Sequence, residues 1–175
     1  MRRAALLVLV VALAVLGGRA LTGVEELGRP EPGDPAPARV VRVVRVVDGD
    51  TIRVRDASGR EERVRYIGVD TPESVRPGAP VECFAKRASA FNRRLVAGRR
   101  VRLVHDVQRR DRYGRLLAYV YRAGDGLFVN AELVRRGYAR PLTIAPSVAH
   151  ADELERLGAA ARQAGRGLWS ACRES

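Results

Sequence analysis

The sequence has few of the residues from which zinc sites are built, with two cysteines and two histidines among 175 residues. Zinc sites group four Cys or His ligands at short spacings, whereas Cys83, His105, His150 and Cys172 stand apart from one another. This scarcity argues against a zinc protein. The chain also has no internal repeat, so it is not a repeat protein.

Long hydrophobic runs are absent too, because the longest apolar segment, at positions 4–16, has thirteen residues. A membrane-spanning helix needs roughly 20. Arg2 and Arg3 precede this segment and Gly17-Gly18-Arg19-Ala20 follows it, which is typical of a secretory signal peptide over residues 1–20. Arg19 is atypical at a cleavage junction, so a short N-terminal anchor is the alternative. In both cases we expect the folded part to be secreted or otherwise extracytoplasmic.

Acidic residues are in the minority, with 20 Asp and Glu against 32 Lys and Arg and a net charge of +12. Loss of Arg2, Arg3 and Arg19 with a signal peptide would still leave a charge of +9. Such a basic chain indicates an anionic partner, most simply nucleic acid or a membrane surface. An apolar share of 46% excludes a disordered or fibrous chain, and 175 residues suit one domain with accessory sequence.

The composition of residues 21–38 is typical of a proline-rich linker. Residues 39–170 are expected to form one domain, and residues 171–175 a C-terminal tail. β-Branched and alternating segments predict five strands, at 40–47, 51–55, 61–67, 101–107 and 116–122. Helical spacing predicts three helices, at 81–96, 130–137 and 147–164, with Asn130 as the cap of the second. This order favours an α+β fold, mainly β, with a five-stranded oligonucleotide-binding (OB) barrel and three helices.

The few acidic residues concentrate at two places that the predicted meander brings together. Asp-Gly-Asp-Thr at 48–51 occupies the first hairpin turn, and Asp-Thr-Pro-Glu at 70–73 follows the third strand. Asp50 and the carboxylates of 70–73 are therefore expected at one rim of the barrel, where their oxygens suit a hard cation such as calcium. An ordinary turn is the alternative for both segments and the preferred interpretation of Asp48.

Two arginines accompany these carboxylates. Arg65 stands on a predicted strand five residues before Asp70, and Arg115 ends the polar loop 111–115. A guanidinium group binds phosphate oxygens through paired N–H donors, so two of them near a metal site suit a phosphodiester substrate. A solvated strand face is the alternative for Arg65, and an ordinary connection is the alternative for the loop.

Six segments together carry a more specific signal than any one of them alone. They are V-x-D-G-D-T (46–51), R-x-x-x-V-D-T-P-E (65–73), V-E-x-F-x-x-x-A-S-A-F (81–91), D-R-Y-G-R-x-L-A-Y (111–119), V-N-A-E-L-V-R-x-G (129–137) and L-W-S (168–170). In this order they resemble the staphylococcal nuclease family. The resemblance implies an OB barrel and a calcium-dependent phosphodiesterase that hydrolyses DNA and RNA with little sequence preference. It also implies a preference for single-stranded or denatured substrate, and a monomer.

Carried over by position, the resemblance implies a calcium ion held by the carboxylates of Asp50 and Asp70 and by the main-chain carbonyl of Thr71. Glu73 corresponds to the residue usually assigned as general base. Cleavage in this family breaks the bond to the 5′ oxygen and leaves 3′-phosphate ends.

The resemblance also assigns the substrate contacts. Arg65 and Arg115 correspond to the arginines that grip the scissile phosphate and stabilise its developing charge. Arg112 and Tyr113, in the same loop as Arg115, are expected to bind substrate, with Tyr113 as the main aromatic contact.

Two features depart from the family pattern. Family members commonly carry two tyrosines after the second helix, whose expected positions fall here near Thr143 and Ala145. The second departure is a pair of cysteines. In an exported chain two cysteines are expected to pair, so Cys83 and Cys172 predict a disulfide bond; free thiols or a bond to another chain are the alternatives.

Two other functions compete with a nuclease: an exported, non-catalytic OB domain that binds nucleic acid, and a basic protein held at an anionic envelope surface. A non-catalytic domain is expected to have lost the acidic and arginine residues of the site. All five are present here: Asp50, Asp70, Glu73, Arg65 and Arg115. The second is disfavoured by the short hydrophobic segment and by the absence of a lysine-rich amphipathic face. The sequence therefore favours an exported nuclease.

Overall fold

The computed structural model describes residues 39–73 and 80–172. The predicted signal peptide or anchor at 1–20, the linker at 21–38 and tail residues 173–175 lie outside these ranges, so the predicted segment boundaries stay predictions. Within the two described ranges, no helix has the length and apolar character needed to cross a membrane.

The strands of the described chain form the predicted barrel. In chain order they are β1 (Arg39–Val46), β2 (Thr51–Arg55), β3 (Glu61–Tyr66), β4 (Val69–Asp70), β5 (Arg100–Val104), β6 (Leu116–Arg122) and β7 (Arg140–Pro141). Five of them close in the order β1–β2–β3–β6–β5, with β3 and β6 parallel and the other neighbours antiparallel. The two short strands, β4 and β7, pair with each other beside the barrel.

The helices of the described chain are α1 (Ala85–Val96), α2 (Val129–Arg135), α3 (Ala151–Gln163) and the one-turn α4 (Leu168–Ala171). The first three are the predicted helices, but α1 and α3 begin later than predicted. Phe84 has a φ of +70°, outside the right-handed helical region, so α1 cannot extend back to residue 81. The N–H of Ser147 bonds the carbonyl of Ile144 in a separate turn, and α3 therefore begins at Ala151.

Alternating side chains from the strands fill the barrel. The buried residues of β1, β2 and β3 include Val41, Val43, Val46, Ile52, Val54, Val64 and Tyr66. The residues between them face outward and are mostly arginines. A shift in register between Val43 and Arg45 marks an irregularity in β1. The period-two pattern of the sequence therefore predicted which face of each strand is buried.

Asn130 does not cap α2, and that prediction is wrong. The helix starts one residue earlier, and the Asn130 side chain lies buried inside it. Its Oδ1 accepts a hydrogen bond from the N–H of Val120 at 3.0 Å, and its Nδ2 donates to the carbonyl of Ile67 at 2.7 Å. Asn130 therefore satisfies two buried backbone groups, on β6 and just after β3, and attaches α2 to the barrel.

A disulfide bond joins Cys83 and Cys172, as predicted. Cys83 lies just before α1 and Cys172 just after α4, and the two are 89 positions apart in sequence. The bond therefore ties the segment that leads into α1 to the far end of the domain.

Replacing both Cys83 and Cys172 with serine is expected to lower the free energy of unfolding by about 4 kcal/mol, because the bond restricts a long loop in the unfolded chain. Urea unfolding of the full chain measures this difference. Wild-type protein treated with a reductant is the matched control and should lose the same amount. An unchanged unfolding midpoint in both samples would contradict the prediction.

Candidate active site

The acidic and basic residues singled out above meet in one open cavity of about 330 Å³. It lies where the β1–β2 turn and the end of β4 approach the loop 111–115. Seven of the predicted site residues line it: Asp50, Arg65, Asp70, Thr71, Glu73, Tyr113 and Arg115. Arg112, the remaining predicted substrate-binding residue, lines an adjoining cavity instead. Folding therefore brings together residues that span some 65 positions of the sequence.

Asp50 is held by the turn that precedes β2. The side chain of Asp48 accepts a hydrogen bond from the N–H of Asp50 at 3.1 Å, so Asp48 has the turn-forming role that its sequence context favoured. Gly49 packs directly against the 70–73 segment, because a Cβ at this position would lie 2.6 Å from the Thr71 Oγ1. A larger residue at 49 would push the two acidic segments apart.

The Asp50 carboxylate is buried, and both of its oxygen atoms accept hydrogen bonds. Its Oδ2 accepts hydrogen bonds from both the N–H and the Oγ1 of Thr71 at 2.9 Å, and it lies 3.0 Å from Nη1 of Arg65. Its Oδ1 accepts a hydrogen bond from the Thr51 hydroxyl at 3.2 Å. One carboxylate therefore joins β2, β3 and the end of β4.

Arg65 connects the two aspartates. Its Nη1 donates to the carbonyl of Val69 at 2.8 Å, and its Nη2 donates to Oδ1 of Asp70 at 3.1 Å. Because Nη1 also contacts Asp50, both carboxylates meet at one guanidinium group. The Arg65 side chain retains 15% of its exposure, which leaves part of it open to the cavity.

Two carboxylates at this rim, those of Asp48 and Asp70, have raised pKa values. Burial, together with the nearby charge of Asp50, raises the pKa of Asp48 to about 6. Burial also raises the pKa of Asp70, although Arg65 opposes this effect. Burial thus disfavours the charged form of both groups.

Arg115 is oriented by Asp111, a residue that the sequence analysis did not single out. Oδ1 of Asp111 accepts hydrogen bonds from the N–H groups of Tyr113 and Arg115, and Oδ2 accepts from Nε of Arg115 at 2.6 Å. Although burial raises the pKa of Asp111, these bonds hold it below its usual value. An Asp at the start of a short loop that contains Gly is a typical turn signal, because its side chain bonds backbone N–H groups further along. This signal could have identified Asp111 from the sequence.

Tyr113 stands out from this loop and is 67% exposed. The guanidinium groups of Arg112 and Arg115 lie 4.8 Å and 5.5 Å from its ring centre. Its aromatic face therefore borders both the acidic rim and the adjoining cavity.

The adjoining cavity has a volume of about 430 Å³ and shares Arg65, Tyr113 and Arg115 with the first. The segment where two tyrosines were expected contributes Leu142 and Ile144 to its wall, rather than Thr143 and Ala145. Alternate residues of an extended segment face the same side, so Leu142 and Ile144 share one side of this segment.

Glu73 is held through its backbone. Its N–H donates to Oε2 of Glu82 at 3.0 Å, and its carbonyl accepts a hydrogen bond from the N–H of Glu82 at 3.0 Å. Glu82 is followed by Cys83, which is bonded to Cys172. Two hydrogen bonds and the neighbouring disulfide therefore anchor the position of Glu73. Sequence reasoning missed Glu82 because its pairing depends on two segments that meet only in the folded chain.

Comparison with known proteins agrees with this geometry. The family described as "Staphylococcal nuclease homologue" matches residues 63–171. Thermonucleases of Staphylococcus hyicus and Staphylococcus intermedius are each 42% identical to the chain, covering 74% and 73% of it and 75% and 74% of their own lengths. Endonuclease YncB of Bacillus subtilis is 40% identical, covering 66% of this chain and 54% of its own length. The chain therefore belongs to the staphylococcal nuclease homologue family.

Proposed function

We propose that this chain is an exported, calcium-dependent nuclease that hydrolyses phosphodiester bonds of DNA and RNA and leaves 3′-phosphate ends. The observation that carries the proposal is the shared cavity in which Asp50, Asp70 and Glu73 face Arg65 and Arg115. The relatives named thermonuclease and endonuclease support the reaction class.

The oxygen atoms of the acidic rim fit a hard divalent cation. Asp50, Asp70 and Thr71 all line this one cavity, so their oxygen atoms are available within a single site. In residues 39–73 and 80–172, no three His, Cys, Asp or Glu side chains form a ready-made metal cluster. Calcium takes more oxygen ligands than two carboxylates supply, so we propose that Asp50, Asp70 and the main-chain carbonyl of Thr71 hold it with water completing its shell. When bound, the ion supplies positive charge to the phosphate oxygens.

The two arginines stabilise the charge that develops on the phosphate. Arg65 and Arg115 are each fixed by carboxylates, so their N–H donors are oriented before substrate binds. Arginine is essentially never deprotonated, so Arg115 acts as an electrostatic group and not as a proton donor. The leaving 5′ oxygen takes its proton from water.

Glu73 positions and deprotonates the attacking water. A carboxylate accepts hydrogen bonds from water, and one that lines the cavity opposite the arginines directs the water toward phosphorus. The water oxygen forms the new bond to phosphorus while the bond to the 5′ oxygen breaks.

The adjoining cavity supports a single-stranded or denatured substrate. A base that enters it must leave its stack, which costs least in a strand that is already unpaired. Tyr113 offers an aromatic face, and Leu142 and Ile144 offer an aliphatic wall in place of the two tyrosines. We propose that base contacts here are mainly apolar and carry little sequence preference.

Export is proposed from the N-terminal pattern at 1–20 and from the disulfide bond between Cys83 and Cys172. Disulfide bonds persist in oxidising compartments outside the cytoplasm. The reaction needs one copy of the site, which agrees with the proposed monomer.

The full chain with its disulfide intact should cleave heat-denatured DNA in calcium, and a chelator should abolish cleavage. The products should carry 3′-phosphate and 5′-hydroxyl ends, which end-labelling distinguishes. A folded protein that binds DNA without cutting it would contradict the proposal and favour a non-catalytic OB domain.

Glu73→Gln should lower turnover by about 10²-fold or more, because the amide cannot accept the water's proton. Its dissociation constant for DNA should stay close to that of the wild type. Arg115→Ala should instead weaken both turnover and binding, since it removes a contact to the phosphate. Unchanged turnover in Glu73→Gln would remove Glu73 from the mechanism.

Glu82→Ala should lower kcat by about tenfold, because Glu73 loses a hydrogen bond worth roughly 1.4 kcal/mol. Glu82→Gln keeps an acceptor oxygen and should restore most of the activity. An equal loss in both variants, or a loss matched by the exposed control Glu155→Ala, would show that Glu82 does not position Glu73. Urea unfolding separates this effect from a loss of stability.

A further inference from the structure

The outer face of the barrel carries a row of arginines that the catalytic site does not use. In the sheet, Arg45 on β1 lies opposite Arg53 on β2, and Arg53 lies opposite Arg63 on β3. All three are exposed. We call Arg45, Arg53 and Arg63 the basic row. It crosses three adjacent strands at right angles to them, with about 4.8 Å between neighbouring strands.

This arrangement is unfavourable for folding. Like charges directly opposite one another across strands destabilise a sheet. The adjacent row, Arg42, Arg55 and Glu61, is partly neutralised, because Arg55 lies opposite Glu61 and contacts its carboxylate at 2.5 Å. In the basic row only Arg53 has an acidic neighbour, at 3.6 Å from Glu61. Over the described residues, neither Arg45 nor Arg63 forms an ion pair, so the row presents net positive charge to solvent.

The basic row is continuous with the candidate active site. Arg63 and Arg65 are two residues apart on β3, so their side chains emerge on the same face about 7 Å apart. Arg65 lines the cavity that holds the proposed scissile phosphate. A linear polyanion bound at Arg65 therefore meets Arg63 next, then Arg53 and Arg45.

Single-stranded nucleic acid is the polyanion that fits this row best. Its phosphates repeat along a flexible chain, and arginine side chains on an open sheet face adapt to them. Val44 is an exposed neighbour of Arg45 on β1, and β1, β2 and β3 carry no exposed aromatic residue. The row therefore contacts the backbone and not the bases, which gives binding without sequence preference.

We propose that the basic row binds phosphates of single-stranded nucleic acid beyond the scissile one and extends the substrate track across β3, β2 and β1. This inference rests on the proposed nuclease function. The outer face of an OB barrel is an established position for oligonucleotides, and here the row joins that face to the catalytic cavity.

The test measures the affinity of the full chain for single-stranded DNA of about 30 nucleotides, in a chelator so that no substrate is cut. The variant is Arg45→Gln, Arg53→Gln and Arg63→Gln combined. Three lost phosphate contacts should weaken binding about tenfold or more and reduce the slope of log affinity against log salt by about 2. The single variant Arg63→Gln should reduce the slope by about 0.7.

The matched control removes the same charge elsewhere, by Arg87→Gln, Arg93→Gln and Arg156→Gln combined, at three exposed positions on α1 and α3. It should keep the wild-type slope to within about 0.5. Equal slopes in the two triple variants would overturn the inference. Urea unfolding of both triple variants checks that each is still folded. If the basic-row triple variant is unfolded, the salt slope of the single variant Arg63→Gln decides whether the row binds DNA.

Two further results separate this inference from the nuclease function and from binding to an anionic surface. If the wild type binds DNA but does not cleave it, the proposed nuclease function fails while the slope comparison still tests the row. If the triple variant loses binding to vesicles of phosphatidylglycerol but keeps the wild-type DNA slope, the row serves an anionic surface and the inference is overturned.

Discussion

The buried carboxylate of Asp50 is the interaction on which the site depends. It accepts two hydrogen bonds from Thr71 and contacts Arg65, and so it joins three parts of the chain that approach one another only at the rim of the barrel. A buried charge is tolerated only when it is paired and hydrogen-bonded. The network that stabilises Asp50 therefore also brings Asp70 and Arg65 to the cavity, and the same bonds serve folding and chemistry.

The remaining site residues lie on loops, and each is held by a contact of its own. Asp111 orients Arg115 through the backbone and the guanidinium group, and Glu82 holds the backbone of Glu73. The barrel provides the rigid base, since its strands are closed on themselves and its interior is filled by aliphatic side chains. Precise placement of loop residues requires such local bonds because loops are otherwise the most mobile parts of a domain.

Some parts of the structure were predictable and others were not, for reasons that particular residues make clear. The strands followed from alternation, because every second side chain of a strand faces the core. Asn130 was mistaken for a helix cap because local rules favour that role, whereas its amide instead satisfies two backbone groups brought near by folding. The contribution of Leu142 and Ile144 to a cavity wall was not predicted, since the face that a short extended segment presents depends on its register in three dimensions.

The sequence by itself determined the barrel, its buried faces, the family motifs and the basic character that indicates an anionic partner, because these depend on local periodicity and on residue type. Only the tertiary structure decided which groups meet: Asp50 with Thr71, Glu73 with Glu82, and the arginines of the basic row with one another across β1, β2 and β3. These contacts depend on strand register and chain closure, which join positions far apart in sequence and leave no local pattern.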